Sequence, residues 1–257
     1  MNNIYNIQNN SLDIFDLKIE TKPNETHQGN YRWHEQRRGK FTGSKIKELM
    51  SCGRSTSKIE WGRPEKIIDF GEVAKKYVFS RAKERQSGIV LQRSIGRNGD
   101  YGNLVEPIIF KMLQEKYTNL NFENVGFIEF IKGIAGASPD GLIGGVTGLE
   151  IKAPMTWETF YSRMETPFDQ KHDDFWQIQS EMSALGVNEL MYAIADPPEN
   201  LFEPEIKNVS EKIVYASPIH QNAIKQRCLI GNAAIEMYLD GVNFQEAMRI
   251  ACTEFEF

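Results

Sequence analysis

From Phe122 to Ala153 the sequence alternates short β-prone runs with glycine turns. The runs are Phe122 to Phe130, Ile134 to Ser138 and Leu149 to Ala153, separated by Lys132-Gly133 and by the glycine-rich stretch Gly141 to Gly148. Such a pattern can close only as antiparallel hairpins. A β-meander is therefore expected in the middle of the chain, and everything else must pack around it.

The flanking segments follow a helical period. Ile46 and Leu49 suggest a short helix around 43 to 51, with Thr42 and Ser44 as N-cap candidates. Residues 52 to 62 read as loop. From Pro64 to Arg85, residues Ile67, Phe70, Ala74, Tyr77, Val78 and Ala82 recur at helical spacing with basic residues opposite. The Gly/Asn-rich stretch 96 to 103 breaks that pattern, and a helix from Asn103 to Lys116 follows, with Leu104, Val105, Ile108, Ile109, Met112 and Leu113 on its apolar side. Pro107 has no N–H to donate, so it belongs in the first turn, which puts Glu106 near the helix start. Beyond the meander come a helix through Phe175, Ile178, Met182 and Leu185, a strand from Leu190 to Ala195, a strand near 212 to 216, and a helix from Pro218 to about Leu239. The Asn-rich residues 1 to 30 read as a flexible arm, and 31 to 257 as a single domain, because no Pro/Gly/Ser-rich linker divides them.

Composition narrows the class. No run of 18 apolar residues occurs, so no membrane span is expected. The first residues carry neither the basic nor the apolar block of a signal peptide. Three cysteines without a C-x-x-C spacing give no disulfide framework and no zinc knuckle, which suits a reducing, cytoplasmic setting. The net charge of −5 hides a segregation: Arg32 to Arg97 holds 17 Lys and Arg against 7 Asp and Glu, the remainder 13 against 28. A basic segment beside an acidic remainder is compatible with a protein that grips polyanion with one part and metal with another, and equally with a solvated basic helix.

The chemistry is concentrated around residue 150. In Leu149-Glu150-Ile151-Lys152 the strand period of two sends Glu150 and Lys152 to one face and Leu149 and Ile151 to the other. Asp140, in Ser138-Pro139-Asp140-Gly141, ends the preceding strand. If the glycine-rich segment folds back as a hairpin, two carboxylates face each other, and such a pair repels itself unless a cation bridges it. Hard oxygen donors without His or Cys suit Mg²⁺, or Mn²⁺, rather than zinc. Lys152 then lies where an ammonium can hold an attacking water and offset charge on a phosphate. Taken singly, Ser-Pro-Asp-Gly is a good turn, Glu-x-Lys a common strand face, and Glu106 a carboxylate complementing a helix dipole. Their order and spacing together are more specific. His172-Asp173-Asp174 reads as a solvated helix entry, Trp61 and Trp157 as partial core.

Pro139-Asp140 followed by Glu150-Ile151-Lys152 resembles the PD-(D/E)XK nuclease signature, and the wider match is to the lambda exonuclease-like, YqaJ-type viral recombinases. Four segments between Trp33 and Pro197 carry it: Trp33-His34 with Arg37, Gly39 and Phe41-Thr42-Gly43-Ser44; Tyr101-Gly102 with Glu106; Ala137 to Leu142 with Leu149 to Pro154; and Trp176-Gln177-Ile178-Gln179 with Met182. The resemblance implies an α/β fold, a mixed central β-sheet flanked by helices, and a metal-dependent nuclease that degrades the 5′-ended strand of duplex DNA and leaves 3′ tails for a single-strand annealing protein. It implies Asp140, Glu150 and the Ile151 carbonyl as metal ligands, Glu106 supporting a second ion, Lys152 serving the water, and Arg37, Ser44, Ser138 and Gln177 on DNA phosphates. A planar guanidinium matches phosphate bidentately, which agrees with Arg37. The family also implies a ring, a homotrimer threaded on duplex DNA. The same metal core would serve an endonuclease, and the fold could be an idle DNA-end-binding protein; the presence of all four of Glu106, Asp140, Glu150 and Lys152 counts against the latter.

Overall fold

The computed structural model describes residues 31–90, 97–201 and 204–257; the expected arm at 1 to 30 lies outside them. In chain order the elements are α1 (Tyr31–Arg37), β1 (Phe41–Thr42), a 3₁₀ turn (Gly43–Lys45), α2 (Ile46–Leu49), α3 (Pro64–Ile67), α4 (Glu72–Ser87) and α5 (Arg97–Lys116). The strands β2 (Phe122–Glu123), β3 (Ile128–Ile131), β4 (Ala135–Ala137), β5 (Gly141–Ile143) and β6 (Thr147–Lys152) follow. The remainder is α6 (Trp157–Glu165), α7 (Phe175–Leu185), β7 (Glu189–Ala195), β8 (Val209–Tyr215), α8 (Pro218–Leu239) and α9 (Phe244–Thr253).

The expected single meander is divided between two sheets. A five-stranded sheet has the order β2-β5-β6-β7-β8, and a three-stranded one the order β1-β4-β3. The run read as one strand from Phe122 to Phe130 is β2 in the first sheet and β3 in the second, and part of the glycine-rich stretch, Gly141–Ile143, is itself a strand. The β5–β6 hairpin forms as expected, with Gly141 opposite Leu149, while β6 runs parallel to β7 and β7 antiparallel to β8. The large sheet is therefore mixed, as the resemblance implied.

Strand alternation decides what covers each face. Leu149 and Ile151 of β6 join Met191 and Ala193 of β7 in a core closed by Val105, Ile109 and Leu113 of α5. The opposite face of β7, Leu190, Tyr192 and Ile194, packs on Ile178 and Met182 of α7. A further core, under the small sheet, is built from α2, α4, α7, α8 and α9 and takes in Phe255 of the tail.

Two helices depart from expectation. The Pro64–Arg85 helix is broken into α3 and α4, because Asp69 turns to accept hydrogen bonds from Gly53 N and Thr56 Oγ1. Gly71 meanwhile lies so close to Cys52 that a Cβ there would stand 2.8 Å from its carbonyl oxygen. The stretch 96 to 103 does not break the chain: α5 begins at Arg97, so Pro107 lies in the helix interior instead of its first turn. Without an N–H, Pro107 cannot bond the carbonyl of Asn103. Leu104 and Ile108, assigned to the apolar side, are exposed.

Candidate active site

All the side chains singled out by the sequence around residue 150 converge on one cleft of about 240 Å³. It is lined by Trp33, Arg37, Ser44, Gly99, Gly102, Asn103, Glu106, Ser138, Asp140, Glu150, Lys152, Gln177 and Glu181. Three elements of the large sheet and its helices meet there: the β5–β6 hairpin brings Asp140 and Glu150, α5 brings Glu106, and α7 brings Gln177 and Glu181.

The hairpin places Asp140 where the spacing predicted. Asp140 N donates to Leu149 O at 3.0 Å, and Ile151 N donates to Asp140 Oδ2 at 2.7 Å, so the aspartate is clamped to the strand that carries Glu150. Glu150 is buried, and its Oε1 accepts from Lys152 Nζ at 2.6 Å and from Gln177 Nε2 at 2.6 Å. Its Oε2 has no hydrogen-bond partner. Gly102 stands one turn before Glu106, and a Cβ there would meet Glu106 Oε1 at 3.0 Å, so the glycine lets that carboxylate lie along the helix.

The electrostatics are those of acids crowded together out of water. Burial, then the charges of Glu150 and Glu106, raise the Asp140 pKa well above the usual aspartate range. Burial and Glu150 raise Glu106 and Glu181 as well. For Lys152, burial pushes the pKa down, but attraction to Glu150, Asp174 and Glu181 outweighs it and holds the ammonium above the lysine range. One cation thus faces several acids, and a buried carboxylate oxygen has no partner. Oxygen donors with surplus negative charge fit a hard divalent cation, with the Asp140 and Glu150 carboxylates lining the cleft as the candidate ligands. Among the described residues no group of three His, Cys, Asp or Glu side chains has a ready-made cage geometry. The fit is of two carboxylates.

At the other end of the cleft stands a second, cationic cluster. Arg37 donates from Nη2 to Ser44 Oγ at 3.1 Å and from Nη1 to Ser138 Oγ at 3.4 Å, and its guanidinium lies 3.8 Å from the Trp33 ring centroid. Trp33 Nε1 also donates to Ser138 Oγ, at 3.0 Å. Burial lowers the Arg37 pKa to about 10, with smaller effects of Tyr77 and Arg81, so it remains a cation at neutral pH. Ser44, an N-cap candidate from the sequence, lies inside the 3₁₀ turn, and Thr42, at its N-cap, makes no side-chain cap either.

Gln177 lies in the cleft, but both its amide hydrogens are spent on Glu150 and Glu181. Glu181 escaped the sequence reading. The signal for it was present, since a Glu four residues after Gln177 shares its helix face.

The reading of His172-Asp173-Asp174 as a solvated entry is overturned for two of the three. His172 is buried, with Nε2 on Arg163 O at 2.9 Å and Nδ1 accepting from Asp174 N. Asp174 is buried too; it accepts from Tyr192 Oη at 2.7 Å and ion-pairs with Arg163 at 3.0 Å and Lys152 at 3.8 Å. These groups buttress Lys152 from behind. Trp61 is buried as read, whereas Trp157 is half exposed. Much of the basic segment is consumed internally: Arg81 pairs with Glu84, Arg85 with Glu236, and Lys66 is buried against backbone carbonyls. Among the described residues no helix is long and apolar enough to cross a membrane.

The fold resembles that of an alkaline exonuclease, LHK-Exo from Laribacter hongkongensis, with 19% identity and a TM-score of 0.62, covering 87% of this chain and 99% of that one. The same enzyme in complex with dAMP matches at 20% identity and the same TM-score and coverage. A phage-related exonuclease from Haemophilus somnus matches at 14% identity and TM-score 0.62, covering 78% of this chain and 95% of the other. No curated protein matches the chain. The model of the YqaJ-like viral recombinase domain matches residues 32–188, which run from α1 through α7 and contain every lining residue of the cleft, and the chain belongs to that family.

Proposed function

We propose that this chain is a divalent-metal-dependent deoxyribonuclease that digests the 5′-ended strand of linear duplex DNA, 5′ to 3′, and leaves 3′ single-stranded tails for phage-type recombination. The observation that carries it is the pairing, in one cleft, of the Asp140–Glu150–Lys152 group with the Arg37–Ser44–Ser138 cluster. A diester held for hydrolysis needs the first, and a chain terminus needs the second. Asp140, Glu150 and the Ile151 carbonyl would hold one Mg²⁺ or Mn²⁺, and Glu106 would support a second ion. Held there, such a cation would supply Lewis-acid polarisation of a phosphoryl oxygen and acidification of a water. Lys152 orients the attacking water and offsets charge on the phosphate, held in place by Glu150 and Asp174. Arg37, with the two serine hydroxyls, takes the terminal 5′-phosphate; Gln177 holds Glu150 and Lys152 in register at the phosphate being cut.

This reading treats residues 31 to 257 as one catalytic domain acting in the bacterial or phage-infected bacterial cytoplasm, as a homotrimer around duplex DNA with an annealing protein receiving the tail. LHK-Exo binds dAMP, a nucleoside monophosphate of the kind that end-wise digestion releases. End-labelled linear duplex and closed circular duplex, each with Mg²⁺ and with chelator, test the assignment. Linear DNA should be degraded only with Mg²⁺, and circles spared. A 5′-phosphate end should be digested about tenfold faster than a 5′-hydroxyl end, because a monoester carries up to two charges, and Arg37→Ala should erase the difference. Equal rates on both ends, or efficient nicking of circles, would establish the endonuclease reading; binding without cleavage would establish the idle one.

A further inference from the structure

We propose that Glu181 is a positioning residue: a buried acceptor that fixes the amide of Gln177 and, through it, the mutual placement of Glu150 and Lys152. The inference rests on the nuclease reading above and deepens it. Glu181 and Gln177 are four residues apart on α7 and share a face. Glu181 Oε1 accepts from Gln177 Nε2 at 2.8 Å, and the same nitrogen donates to Glu150 Oε1 at 2.6 Å. On its other side, Gln177 Oε1 accepts from Lys152 Nζ at 3.2 Å, and Lys152 in turn donates to Glu150 Oε1 at 2.6 Å.

The chemistry of an amide makes this arrangement one-way. Two N–H groups meet two carboxylates, and the carbonyl oxygen meets an ammonium; turned over, the amide would set its oxygen against both acids. Without Glu181 one N–H loses its acceptor, and Gln177 is held only by Glu150 and Lys152, the groups it is there to hold. A space-filling role does not account for the residue. Glu181 is 1% exposed, and its Oε2 lacks a hydrogen-bond partner. A carboxyl kept in that state costs free energy that a methionine of similar shape would avoid.

The test compares wild type, Glu181→Met, Glu181→Gln, Gln177→Met and the Glu181→Met/Gln177→Met double variant on linear duplex with Mg²⁺, with thermal unfolding of each and a crystal structure of Glu181→Met. Glu181→Met should lower kcat about tenfold or more with KM little changed, because the reacting groups are misplaced while DNA binding is not. Glu181→Gln, whose Oε1 still accepts, should recover most of the loss, and Glu181→Met should cost nothing further in the Gln177→Met background. Wild-type kcat in Glu181→Met, a Glu181→Gln variant as slow as Glu181→Met, or full additivity would overturn the proposal. If Glu181→Met does not fold, Glu181→Ser, too short to reach Gln177, takes its place. Failure of the nuclease reading shows separately, as a wild type that does not cut. The crystal structure then decides: a Gln177 amide still seated between its former partners overturns the positioning role, and one that has swung away supports it.

Discussion

Arg227 and the acids of the cleft are both charges removed from water, and the fold treats them in opposite ways. Arg227, on α8, is completely buried without a carboxylate partner, yet its guanidinium donates to the carbonyls of Ser51, Lys66 and Asp69 at 3.0 to 3.3 Å and lies 4.0 Å from the Phe70 ring centroid. The chain is irregular here, breaking between α3 and α4 and turning at Ser51, whose carbonyl also accepts from Gly71 N at 3.0 Å, so the cation caps this irregular backbone. Only its Nε lacks a hydrogen bond. The cleft has the reverse balance: among the described residues, Glu106, Asp140, Glu150 and Glu181 gather around Lys152. A charge that structure needs is met by fixed dipoles; a charge that chemistry needs is left to be met by something that arrives.

The largest effect that could break this contrast is at the acids. Asp140→Asn or Glu150→Gln should lower cleavage by about 10³-fold or more, roughly 4 kcal/mol of transition-state stabilisation, with DNA binding retained. Asp140→Asn should not destabilise the metal-free protein, since it removes a like-charge neighbour, whereas Glu150→Gln also takes the charge that Lys152 pairs with and should lower Tm without unfolding the chain; thermal melts alongside the activity assay check both halves. A variant that cuts normally, or one that unfolds, would place these acids on the structural side of the comparison. Next in size is Arg227→Met. It should cost roughly 3 kcal/mol of folding stability by taking the N–H donor from the Lys66 and Asp69 carbonyls, while Ser51 O keeps Gly71 N and activity per folded molecule stays near wild type. Denaturant titration reads the first and active-site-normalised kinetics the second. An unchanged midpoint would show the buried cation to be dispensable, and the two regions alike.

The contrast also explains what could be read from the sequence. The strand period of β6 and the glycines before it were enough to bring Asp140 beside Glu150, because hairpin register is a local property. The Arg37 cluster was reached only through resemblance: its partners Ser44 and Ser138 come from segments far apart in sequence. The split of the meander into two sheets was not legible, since a two-residue strand such as β2 carries no periodicity. Pro107 misled the reading of α5 for a different reason. An unsatisfied carbonyl is tolerable in a helix when it lies near a polar cleft, and Asn103 lines this one. Helices α6 and α9 were missed, α6 because its exposed Trp157 and Tyr161 blur the apolar stripe. His172 shows the limit most plainly: a polar triplet looks solvated until tertiary contacts from Arg163 and Phe168 enclose it.

The smallest predicted effect sharpens the comparison without any substitution. Because burial and mutual repulsion raise the pKa values of Asp140, Glu106 and Glu181, the folded, metal-free protein binds protons more tightly than the unfolded chain, whose carboxyls titrate at about 4. Folding then takes up protons, and this contribution to stability, fully present below about pH 4, is lost as pH rises through the raised folded values. Asp174 works the other way. Burial raises its pKa, but Lys152, Arg163 and the Tyr192 hydroxyl together lower it on balance, so its contribution is lost as pH falls. That opposing contribution is common to samples with and without metal and cancels in their difference. A divalent cation meets the charge that the protons would otherwise neutralise, so it binds better as they leave. The rise in Tm produced by a fixed excess of Mg²⁺, compared at a mildly acidic and a mildly alkaline pH, should therefore be larger at the alkaline one, at about 2–4 °C for each kcal/mol gained. Asp140→Asn should flatten that difference, and Arg227→Met, which lowers both curves together, should leave it intact. A Mg²⁺-induced shift that is absent, or equal at both pH values, would mean that the acids are satisfied within the fold as Arg227 is.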